Sequence, residues 1–165
     1  MFEPYLYTLL WAMAPVLELR AALPLAYLRF GVPLGEAIVI SVMGNLFAGA
    51  MVLLLLPTIV RFFERHIPVF HTIIQSIFNF TRNRHSHRME VVGEVVLIFF
   101  VAVPLPGSGA WTGALVSYLF GIRYRKAVFL IFIGLLLSAG IVTLFTLTGN
   151  SLWEFFNGSS RVVTP

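Results

Sequence analysis

Glu18 and Arg20 stand two residues apart in the run 13–27, M-A-P-V-L-E-L-R-A-A-L-P-L-A-Y, and are its only charges. A carboxylate held at membrane depth is suited to carrying a proton or a cation, because burial favours the neutral form of such a group. A guanidinium is suited to an anionic group such as a lipid phosphate, because its planar fork matches the phosphate oxygens. A charge near the bilayer centre costs from about 2.5 kcal/mol upward, so it persists only with a partner, a water-filled cavity or a role. On an unbroken helix, side chains two apart point about 200° from each other and do not pair. Pro15 and Pro24 bracket the two charges at three and four residues, and each removes a backbone donor and disturbs the helix before it. The backbone between them is therefore expected to unwind, so that Glu18 and Arg20 face one cavity. The competing reading is that each ties down the tip of a folded-back segment by bonding to freed backbone groups and to the other.

A second constellation, Pro104-Leu105-Pro106-Gly107-Ser108-Gly109, offers flexible backbone donors that suit an anion nest. It reads equally as a tight turn whose glycines let two segments approach closely. Ser108 within P-G-S-G resembles an intramembrane nucleophile, but a serine nucleophile needs a base. His66, His71, His85 and His87 all lie in the polar middle of the chain, so no enzyme is expected. His85 and His87 flank Ser86 with Glu90 the nearest carboxylate, which reads as a solvated loop; no metal and no cofactor are expected. Glu94, inside an apolar arm, is either a second proton site or a residue near the interface that pairs with a basic loop. Trp11, Trp111 and Trp153 read as packing residues or interfacial anchors.

The elements that hold these residues follow from composition. The 165 residues are 59% hydrophobic and 11% charged, with a mean hydropathy of +0.93, well outside the balance of a soluble domain. The chain is read as an integral membrane protein. With no cysteine and no aspartate, disulfides, thiolate metal sites and cysteine nucleophiles drop out. The net charge of +4 comes from basic residues flanking apolar runs, as in membrane proteins generally, and nucleic acid is not an expected partner. A cleaved signal peptide is not expected either, because there is no basic n-region and Pro15, Glu18 and Arg20 interrupt any apolar core.

Two short apolar arms, about 5–17 and 21–30, fall short of the roughly 20 residues a span needs. They are expected to dip into the bilayer and return, since irregular backbone at depth requires cover by protein or water. Residues 34–56 form a full span ending at Pro57, with Ser41, Gly44, Ala48 and Gly49 about one turn apart on a face suited to close packing. An interfacial amphipathic helix is expected over 68–80, followed by a basic loop over 82–88. The second half repeats the plan: an arm over 89–103, the break at 104–109, an arm over 110–120, a basic turn at 121–126 and a span over 127–147. The tail 157–165 reads as disordered.

The halves align at an offset of 90, with Leu25, Phe30, Gly31, Ala37 and Gly44 falling on Leu115, Phe120, Gly121, Ala127 and Gly134. Glu18-Leu19-Arg20 then falls on Ser108-Gly109-Ala110. If both broken segments are re-entrant, Arg61, Arg65, Arg82, Arg84, Arg88, Arg123, Arg125 and Lys126, eight of the eleven basic residues, share the cytoplasmic side, as the positive-inside rule requires. The expected fold is thus an all-α membrane protein, a single domain of two inverted repeats. Repeat one covers 4–57, a cytoplasmic linker 58–90, repeat two 91–148 and a tail 149–165; each repeat is a re-entrant helical hairpin followed by one transmembrane helix. Secondary transporters use such broken helices to form substrate and ion sites.

The motif E-x-R-x-x-x-P over Glu18-Leu19-Arg20-Ala21-Ala22-Leu23-Pro24, with the break from Pro104 to Trp111, resembles the small multi-drug export protein family. The resemblance covers about residues 3–148. That family looks like a distant relative of the DedA superfamily, also built from re-entrant hairpins and inverted repeats; in this chain the second break is uncharged. The resemblance implies export, and the DedA relationship implies translocation of phospholipid or polyprenyl phosphate. The expected protein is therefore a multi-pass transporter or flippase of a bacterial or archaeal type inner membrane. Proton or cation coupling is one option for it; it has membrane lipids and a small-molecule or lipid substrate as partners, and forms a homodimer because two spans make a thin wall. Its site residues are Glu18, Arg20, Pro24, Pro104, Pro106, Gly107, Ser108, Gly109 and Glu94. The alternative is a membrane scaffold or assembly factor that transports nothing.

Overall fold

The computed structural model describes residues 3–66, 87–105 and 107–157, with backbone alone at 64–65, 87–90 and 150–157. The interfacial helix expected over 68–80, most of the basic loop 82–88, Pro106 and the tail beyond 157 lie outside the described residues. Every regular element among those described is an α-helix. They are α1 (Glu3–Met13), α2 (Glu18–Leu28), α3 (Leu34–His66), α4 (His87–Ala102), α5 (Ala110–Leu119) and α6 (Tyr124–Asn157).

The breaks fall where proline dictates. α1 ends at Met13 and α4 at Ala102, each two residues before a proline, because the residue preceding proline is driven out of the helical region. The end of α1 tightens, with the Ala14 N–H donating to the Trp11 carbonyl at 3.2 Å. Gly31 and Gly121 both take φ +66° just past the ends of α2 and α5, the left-handed conformation that closes a helix at a glycine. Two prolines behave otherwise. Pro24 lies inside α2, so the second arm begins at Glu18 instead of 21, and Pro57 lies inside α3, which runs on past the expected end. A proline costs one ladder bond and a kink, and apolar helices packed on neighbours tolerate this.

α3 and α6 hold the helices long and apolar enough to cross a membrane, over Leu34–Phe63 and Tyr124–Gly149. They pack on each other and divide the shorter helices between them: α1, α2 and α5 touch α3, while α4, α2 and α5 touch α6. Glycines set the closest approaches. A Cβ on Gly44 would stand 3.1 Å from the Leu9 carbonyl oxygen and from Ala12, and one on Gly134 would stand 3.1 Å from the Ile98 carbonyl oxygen and 2.7 Å from Val101. Gly49 meets Ala110 in the same way. The core between the helices is built from Leu19, Leu23, Leu97, Val101, Ile131 and Leu135, all at most 1% exposed. The outer surface carries Phe47, Leu54, Phe129, Leu144 and Phe145, more than half exposed. So extensive an apolar exterior is unsuited to water and suited to lipid.

Candidate functional site

The site forms where the two breaks meet. Gly49 is the sixteenth of the thirty residues of Leu34–Phe63, so its contact with Ala110 puts the start of α5 halfway along that helix. Gly109 precedes α5 as its N-cap and supplies no side-chain cap of its own. The first N–H groups of a helix need an acceptor, and negative charge is favoured there. Glu18, 91 residues earlier, is that acceptor: its carboxylate takes the backbone N–H of Trp111 and lies directly on the Cα of Gly109, leaving no room for a side chain there.

Glu18 reaches this position through its backbone. Its φ is +48°, the one positive value at a non-glycine residue among those described, in a region that costs such residues roughly 1–2 kcal/mol. This twist at the first residue of α2 also resolves the pairing problem. Arg20 Nη2 comes within 3.7 Å of Glu18 Oε2, although the two would diverge on a regular helix. Arg20 Nη2 further donates to Ser108 Oγ at 2.9 Å. Ser108 Oγ in turn lies 2.6 Å from the Val103 carbonyl and 3.0 Å from that of Leu105, and it accepts the Leu105 N–H at 3.3 Å. The Trp111 indole N–H donates to the Met13 carbonyl at 3.2 Å. Each break is thus sewn to the other by side chains from both.

The two charges differ in what remains free. Glu18 is 3% exposed, whereas the Arg20 side chain is 17% exposed. Both Arg20 contacts use Nη2, so Nε and Nη1 have no partner among the described residues. Arg20 lines a groove of about 370 Å³ together with Pro24, Pro104, Val142, Phe145 and Thr146, and among the described residues it is the only charged one there.

Of the residues expected from sequence, the structure brings Glu18, Arg20, Ser108 and Gly109 into contact and puts Pro24 and Pro104 on the groove beside Arg20. Gly107 sits in the second break at φ +82°, its carbonyl accepting from the Thr112 hydroxyl. Glu94 is elsewhere: it forms an ion pair with Lys126 at the start of α6. Trp111, read from sequence only as packing or anchoring, contributes both its backbone and its indole N–H. The usable signal was its spacing two residues past Gly109, the position at which a helix start needs an acceptor. Val142, Phe145 and Thr146 carry no local signal at all.

An all-helical chain with two apolar spans, a lipid-suited exterior and charges buried at a helix break is a membrane protein. It belongs to the family described as "Putative small multi-drug export protein", whose model matches residues 18–141. That segment begins at Glu18, the first residue of α2, and takes in the second break. No curated protein and no solved structure matches the chain.

Proposed function

We propose that this protein is a membrane transporter, an exporter or lipid translocase, whose two broken segments are re-entrant hairpins in an inverted repeat and whose site is the Arg20 groove. The carrying observation is the docking of one break on the other halfway along α3, with Arg20 open to a groove walled by both hairpins and α6. The repeated packing supports the inverted repeat. Gly44 receives the Leu9 carbonyl and Ala12, and Gly134 receives the Ile98 carbonyl and Val101; Glu18 and Arg20 touch Gly109 and Ser108, which align with Leu19 and Glu18 at the offset of 90. Movement of one hairpin against the other would expose the groove to one side and then the other, as in transporters built from broken helices. The family description supports export; a phosphate-bearing lipid as cargo rests on the fork chemistry of Arg20.

Purified protein in proteoliposomes tests this with two cargoes, a cationic dye and a fluorescent phospholipid whose inner-leaflet label is protected from an added quencher. The expected result is protein-dependent movement of one of them, lost in Arg20→Gln and impaired in Arg20→Lys, which keeps the charge and loses the fork. A folded wild type that moves neither cargo overturns the transport reading and favours a scaffold.

A further inference from the structure

Two polar contacts lie outside the Arg20 groove, and the offset of 90 relates them. The Tyr5 hydroxyl, in the first turn of α1, donates to Glu36 Oε2 at 2.7 Å, and Glu36 is the third residue of α3. Lys126, the third residue of α6, forms an ion pair with Glu94 of α4. Adding 90 takes Glu36 to Lys126 and Tyr5 to Val95, the neighbour of Glu94. Each contact therefore ties the first arm of a broken segment to the start of the long helix that follows it. The residue types differ, since the carboxylate sits on the long helix in one half and on the arm in the other, but the position is the same.

The second arms end beside the same contacts. Phe30, just past α2, packs its ring on Tyr7 and Trp11 of α1 at centroid distances of 6.2 and 6.1 Å. Phe120, 90 residues on, packs against α4 at Gly93, where a Cβ would stand 2.9 Å from its Cδ1. The open end of each hairpin is thus closed by a phenylalanine between its arms and fastened to a long helix by the polar contact. The two fastened ends lie far apart. Ala127, next to Lys126, clusters with Leu53, which is 17 residues along α3 from Glu36, or about 25 Å at 1.5 Å per residue. That approaches the roughly 30 Å of a bilayer's hydrocarbon core, and the start of α5, docked at Gly49, lies between the two ends.

We propose that these contacts are the two latches of the transport cycle, Tyr5–Glu36 holding the groove shut toward one face of the membrane and Glu94–Lys126 toward the other. The inference rests on the transport reading above. A hairpin that swings away from its long helix must break its own latch while the opposite latch stays made, as alternating access by one repeat against the other requires. A contact present in only one of two states shifts the balance between them by its own free energy. The Tyr5–Glu36 bond is exposed and Lys126 is 44% exposed, so each latch is weak enough to open in every cycle. None of the four residues lines the Arg20 groove. Loss of a latch therefore changes the face to which the groove opens and leaves the cargo site itself in place.

The test is the reaction of a single thiol in the groove, Thr146→Cys in this cysteine-free chain, with a membrane-impermeant reagent applied to either face of vesicles holding the full protein. Tyr5→Phe, which removes only the hydroxyl, is expected to speed labelling from the face that bears Tyr5 and to slow it from the other. Glu94→Gln should do the reverse. Each change should be about two- to fivefold, because fivefold corresponds to about 1 kcal/mol, the ceiling for contacts open to solvent. Exchanging the pair in the double variant Glu94→Lys, Lys126→Glu should restore the wild-type ratio. Should Thr146→Cys not fold, Val142→Cys carries the thiol, and should Tyr5→Phe not fold, Glu36→Ala opens the same latch. Rates unchanged in folded variants, or altered equally from both faces, overturn the latches. Cargo movement in proteoliposomes is read beside the labelling. A wild type that moves cargo while its latch variants label as it does loses the latches alone, whereas a wild type that moves none loses the transport reading and the latches with it.

Discussion

The carboxylate of Glu18 lies on the Cα of Gly109, so close that a Cβ there would collide with Oε2. Through that contact a residue of the first break caps the helix that follows the second.

Replacing Glu18 by Gln keeps the shape and an acceptor for the Trp111 N–H but removes the negative charge opposite Arg20 and at the start of α5. Hydrogen bonds to charged groups contribute about 1.5–3 kcal/mol, and leaving one partner of a buried pair alone costs more. Glu18→Gln should therefore unfold at lower temperature than the wild type, with a loss of about 2–5 kcal/mol in reversible denaturation. Stability equal to the wild type would remove the cap from this account.

Gly109→Ala should be damaging for a steric reason, because the added methyl group must push the Glu18 carboxylate off the helix start. Its effect should overlap with that of Glu18→Gln, since both remove one contact. A double-mutant cycle is expected to give a coupling of about 0.5–3 kcal/mol, whereas simple additivity would place the two residues in independent interactions.

The topology is open to labelling, because the chain has no cysteine and each introduced thiol is unique. Arg61→Cys and Arg125→Cys should react with an impermeant reagent from one face of intact membranes, and Arg29→Cys from the other. Labelling at positions 61 and 125 from opposite faces would show that one broken segment crosses completely.

Breaking the Glu94–Lys126 pair should matter little to stability. Lys126 is 44% exposed, and ion pairs open to solvent are worth at most about 1 kcal/mol. Glu94→Gln is expected to fold and to keep any transport seen in the wild type, in contrast to Arg20→Gln. Abolished transport in folded Glu94→Gln would return Glu94 to the candidate proton carriers.

Much of the architecture is legible in the chain itself because its causes are local. Pro15 and Pro104 stand two residues past the ends of α1 and α4, and the long apolar runs of α3 and α6 are unsuited to a solvated exterior. Gly44 and Gly134, found by the offset of 90, occupy matching close approaches because only a residue without a side chain admits a backbone there. Pro24 and Pro57 show where local reasoning stops: the same residue type ends one helix and is carried through another, depending on whether packing compensates the lost bond.

The site was half legible for a related reason. Two charges in an apolar run announce that something must compensate them, and this follows from residue type alone. Their partners do not. That Glu18 would turn to φ +48° and cap a helix 91 residues away, and that Arg20 would take Ser108 and open on a groove shared with α6, was decided by tertiary structure. Hydrogen bonds between distant segments depend on which helices pack and at what depth, and no spacing along the chain encodes that.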